Sequence, residues 1–173
     1  MKHTSCLILL LAIVPAGNLV AQDTAMSGIV PPYEQVKGLL LASAEKMPEE
    51  LYSYRPTDEV KTFAQILGHV AAVQYFFCGA VTGVNPSPPE DFELRTTKAG
   101  IIEALNRSFA NCESAYSIHD AEALESVDFF GTIQPKLGVL NANSAHNWSH
   151  YGNLVVYFRV NGMVPPSSEG GEQ

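Results

Sequence analysis

Apolar and small side chains recur at three- and four-residue intervals in four separate stretches, the spacing that lines up one face of an α-helix. The first runs through Val36, Leu39, Leu40, Ser43 and Met47, between an entry at Pro31-Pro32 and a stop at Pro48. The second opens on Thr62-Phe63-Ala64-Gln65. There a threonine caps the first turn and a glutamine three residues later returns the hydrogen bond. Ile66, His69, Val70, Val73, Phe76 and Phe77 then follow one face, ending between Gly79 and Gly83, so His69 is expected to point into the core. The third covers Thr97 to Ser117 with Ile101, Leu105, Ser108, Phe109, Cys112 and Tyr116 on one side. The fourth is expected to begin near Thr132 to Pro135, since a proline suits a first helical turn. It continues through Leu137, Leu140, Ser144, Trp148, Val155 and Phe158 to Arg159, and stops at Asn161-Gly162 before Pro165-Pro166.

The connections are marked by their composition. Pro48 to Pro56 holds two prolines and aromatic rings and is expected to pack on the bundle end, while Asn85 to Glu90 is a stiff proline-rich loop. His119-Asp120 breaks the third helix, with Asp120 capping a short turn through Leu124, and Val127 to Gly131 reads as an extended or irregular link. No strand pattern is long enough to predict a sheet. No internal repeat and no Gly-rich phosphate loop is present. Four amphipathic helices in one chain predict an all-α four-helix bundle.

Composition refines the boundaries. Lys2, the apolar run Leu7 to Val14 and the small-residue end Leu19-Val20-Ala21 read as a secretory leader over residues 1–21. The run falls short of the roughly 20 apolar residues that span a bilayer, so no stable membrane insertion is expected after cleavage. The domain then covers 22–166 and a disordered tail 167–173. An exported protein, periplasmic or secreted, follows as the expectation. The full chain of 173 residues carries a net charge of −8, and losing Lys2 leaves it near −9. Such a surface repels phosphate backbones, which argues against nucleic acid as a partner. Cys6 leaves with the leader, so Cys78 and Cys112 form an even pair: a disulfide in an oxidising compartment, or two buried small hydrophobes. The sequons at Asn106 and Asn147 fall inside helices and are discounted as glycan sites.

The candidate chemistry lies in the histidines. His146 and His150 are four residues apart and share one helix face. Between Leu137 and Val160 the only charged side chain is Arg159, yet this stretch carries both imidazoles and Asn141, Asn143, Asn147 and Asn153. Burying such groups unpaired costs about 1–3 kcal/mol each. A divalent metal would satisfy both imidazoles at once, whereas a closed hydrogen-bond network or a solvent-facing position would do so without one. A catalytic centre usually needs three protein ligands. His3 lies in the leader and His119 in a polar break, which leaves His69 as the third candidate. Gln65, Asn143 and Asn153 lie within a turn of these histidines and could orient a ring, or could simply satisfy backbone and water.

Two stretches carry a resemblance. Arg55-Pro56, Thr62 to Leu67 and Gly68-His69-Val70 resemble the second-helix motif of the DinB-like (DinB/YfiT) family of bacterial proteins, associated with metal-dependent enzymes. His146-x3-His150-Tyr151-Gly152-Asn153, with Tyr157-Phe158-Arg159, Gly162 and Pro165-Pro166, resembles that family's last-helix motif. The resemblance implies an up-down-down-up bundle in which His69, His146 and His150 hold one divalent ion, zinc or nickel. It also implies a hydrolase or thiol transferase acting on a small molecule. Relatives of that kind include thiol-dependent isomerases and transferases, whose small thiols are cytoplasmic, and the export leader departs from them. A metal buffer or sensor is the non-catalytic alternative, and a homodimer is compatible with either.

Overall fold

A computed structural model describes residues 24–84 and 86–169; the expected leader and the last four residues of the expected tail lie outside them. Four long helices form the body: α1 (Thr24–Lys46), α2 (Phe63–Thr82), α3 (Lys98–Tyr116) and, after the single-turn α4 (Asp120–Ala123), α5 (Lys136–Val160). α2 packs between α3 and α5, and α1 packs against α5 and α3. The four-helix bundle predicted by the periodicity is therefore present. Tyr33 and Leu40 of α1, Phe63 and Leu67 of α2, Ile101 and Leu105 of α3, and Leu140, Leu154 and Phe158 of α5 fill its core. α2 is long and apolar enough to cross a membrane by length and composition, but its apolar side chains are spent on this core.

Two helix starts differ from expectation. α1 begins at Thr24 and contains Pro31 and Pro32 instead of starting at them. The Asp120 carboxylate explains this, because it accepts hydrogen bonds from the Ala25 and Met26 amides at 2.9 Å each and so caps α1 from 95 residues away. α5 begins at Lys136, since Thr132–Pro135 is a strand, β2, paired antiparallel with β1 (Ser126–Phe129). Phe130 and Gly131 make the two-residue turn, with φ of 52° and 79°, the backbone hand that matches strand twist. Asp128 supports the turn by accepting the Gly131 amide at 2.7 Å. A hairpin of four-residue strands is too short for a readable alternation, which is why the link looked irregular.

The capping box at the start of α2 is formed as expected, with Thr62 and Gln65 exchanging side chain and backbone bonds. Cys78 and Cys112 are joined as a disulfide between α2 and α3, with Cα atoms 5.2 Å apart, deciding between the two readings. Beyond α5 the chain forms a 3-10 turn at Pro166–Ser168. The Tyr151 hydroxyl holds its Ser167 amide at 2.8 Å, and Glu169 pairs with Lys46 at the end of α1.

Candidate metal centre

α2 and α5 lie side by side, so a residue on the flank of one faces the flank of the other. His146 and His150 stand one turn apart on α5, as their spacing predicts, and His69 meets them from α2. The Nε2 atoms of His146 and His69 are 3.3 Å apart, and those of His150 and His146 3.1 Å. One ring nitrogen from each of the three lies within 4.8 Å of the others. Tetrahedral nitrogen ligands at about 2.0–2.1 Å from a zinc ion stand about 3.3–3.4 Å apart. Two of the three nitrogen separations therefore already match those of ligands around one ion, and the third lies within 4.8 Å.

Protonation supports the same reading. The His69 Nδ1 lies 2.8 Å from Glu93 Oε1. Burial raises the Glu93 pKa, but hydrogen bonds from Lys61 and His69 outweigh it and hold the carboxyl below the usual range. The carboxylate is thus placed to accept a proton from His69 Nδ1, which turns Nε2 toward His146. Burial first, then the neighbouring His69, lowers the pKa of His146. Burial, then His146 and His69, pulls that of His150 down to about 4. Neutral imidazoles are the form that ligates metal. The Nδ1 atoms of His146 and His150 are buried and have no hydrogen-bond partner among the described residues. A hydrogen-bonded chain of the three rings would require a proton on one Nε2, whereas a single cation takes up all three lone pairs. The donor set, three nitrogens with one anchored by a carboxylate, fits a metal ion.

Glu93 escaped the sequence reading, being 24 residues from His69 in a 3-10 turn (Phe92–Leu94) with no periodic signal. The turn reaches α2 because position 68 is glycine: a Cβ there would collide with the Phe92 carbonyl. His69 itself stands at the bundle flank with about a quarter of its side chain exposed, not in the core centre as expected. The suggested orienting residues are placed otherwise. Gln65 is used in the capping box. Asn143 belongs to a buried cluster in which its Nδ2 reaches the Tyr116 hydroxyl at 3.2 Å and Gln74 Oε1 at 3.4 Å. Asn153 is exposed and, with His150, lines a groove at the bundle flank. Asn147 is fully buried, which rules it out as a glycan site. Phe77 packs its ring 5.9 Å from that of His146 and stacks on Phe129 at 5.0 Å, so the hairpin covers the other side of the centre.

Comparison with known proteins bears on the family and the fold. The sequence matches the DinB superfamily over residues 33–154. A DinB-like protein of Bacillus cereus ATCC 10987 superposes with a TM-score of 0.69 at 17% identity, covering 81% of this chain and 95% of the other. A DinB-like protein of Bacillus subtilis superposes at 0.58 with 19% identity, covering 81% and 92%. At these identities the likeness concerns the fold. No curated protein matches the sequence.

Proposed function

Since the chain belongs to the DinB superfamily, we propose that it is an exported metal-dependent enzyme in which His69, His146 and His150 hold one divalent ion, zinc or nickel, and act on a small molecule by hydrolysis or thiol transfer. The observation that carries this reading is the convergence of three imidazole Nε2 atoms from two helices. The ion, when bound, supplies a Lewis-acid centre that activates a nucleophile or polarises a carbonyl. The remaining tasks fall to the chain. Glu93 keeps the His69 proton on Nδ1 and orients the ring, and the Gly68 backbone lets the Glu93 turn approach. Phe77 and Phe129 shield one side of the site from water. The groove beside His150 favours turnover over storage, because a buffer needs no space for a substrate. The disulfide supports export, since such bridges persist in oxidising compartments.

Metal analysis of protein purified without a histidine tag tests the core of the proposal. One equivalent of divalent metal is expected in the wild type and a marked loss in His146→Ala. Metal-free wild type after loading attempts with zinc and nickel overturns it. Screening the loaded protein against activated esters and small thiols then separates hydrolysis from thiol transfer.

A further inference from the structure

Beside His150 the surface opens into a groove of about 360 Å³, within the roughly 300–1,000 Å³ of small-molecule sites. Its apolar wall comes from different parts of the chain: Val60 before α2, Ile66 in the first turns of α2, and Val156 with the Tyr157 ring on α5. Val60 and Val156 are 42% and 52% exposed. Each leaves aliphatic surface in water on the border of a concavity that also contains a histidine of the metal centre. The wall is also held in place. The Tyr157 hydroxyl donates to the Lys61 carbonyl, and its ring meets Tyr54 edge-on at 6.0 Å.

Charge decides what such a groove takes. The Lys61 ammonium at its rim is paired with Glu93, whose second oxygen holds the His69 proton. An organic anion would therefore have to compete with an internal carboxylate for this cation. An apolar chain needs only to displace water from the groove wall, chiefly from Val60 and Val156, at a gain of about 0.8 kcal/mol per buried methylene.

We propose that the groove binds an unbranched alkyl or acyl chain of a small molecule whose polar head sits at the three-histidine centre. This deepens the proposed function and rests on the metal reading. A homologous series with a constant metal-binding head tests it: aceto-, butano-, hexano- and octanohydroxamate titrated by calorimetry into the cobalt-loaded protein. Affinity is expected to rise roughly fifteenfold from the butano to the hexano compound, the ratio for two methylenes leaving water at about 0.8 kcal/mol each. In Val156→Asp the gradient flattens, while the cobalt stoichiometry and the acetohydroxamate affinity stay as in the wild type. Equal affinities along the wild-type series, or an unchanged gradient in the variant, overturn the assignment. A second arm needs no metal: hexanol added to the metal-free protein should shift the methyl resonances of Val60 and Val156. Shifts there together with failure to bind cobalt would sink the metal reading and leave the groove standing. Unmoved resonances at high hexanol concentration would sink the groove.

Discussion

Glu93 governs the His69 ring through one hydrogen bond, and its removal has a calculable result. Glu93→Gln can still touch Nδ1 but no longer compels the proton to stay there, so the ligand tautomer loses its bias. Metal affinity is expected to fall about 10- to 100-fold, read by competition with a chromogenic chelator, with little change in helix content. The histidines also impose a pH dependence on the metal-free protein. In the unfolded chain His146 and His150 titrate near 6.5; in the folded chain burial lowers both, His150 to about 4. Between those values the unfolded state binds more protons, so stability drops as pH falls from about 6.5 toward 4 and levels off below. Urea midpoints of chelated protein across that range check the sign, and His150→Phe should reduce the slope. At this scale the His146–His150 pair was legible, since a four-residue spacing on a helix is a local fact. Glu93 was not, because its partnership depends on a loop folding back across Gly68.

Helix boundaries show where local pattern gives way to contacts from afar. The capping box of α2 needs only residues within four positions and was readable. The start of α1 was not: Pro31-Pro32 looks like an entry until Asp120 supplies two carboxylate oxygens to the Ala25 and Met26 amides in the first described turn. Asp120→Ala should fray α1 back toward those prolines and cost about 1–2 kcal/mol, the range for losing a good cap, measured by urea unfolding. Faster amide exchange at Ala25 and Met26 would locate the damage. The hairpin was missed for the opposite reason, because it contains too few residues for an alternation to stand out. Phe130 occupies its left-handed turn position while 80% exposed, a poor choice for a bulky side chain.

In the whole molecule, one disulfide and one pair of facing helices do much of the organising. The Cys78–Cys112 bridge closes a segment of sequence separation 34, for which the chain-entropy model gives about 3–4 kcal/mol. A Cys78→Ala/Cys112→Ala double variant should lose that much in equilibrium unfolding. It should still bind metal, because the bridge ties α2 to α3 while the three histidines stand on α2 and α5, and the reach of Cys78 to α5 is a single contact with Asn143 at 3.8 Å. The amino-acid order alone was enough to specify a four-helix bundle, the cap of α2 and the His146–His150 pair on one helix face, because apolar periodicity, capping and i,i+4 spacing act over a few neighbouring residues. Whether the cysteines would pair, which carboxylate would hold His69, where α1 and α5 would begin, and the groove beside His150 were settled only when distant segments packed. Those features depend on distances between atoms far apart in the chain, and no local pattern encodes such distances.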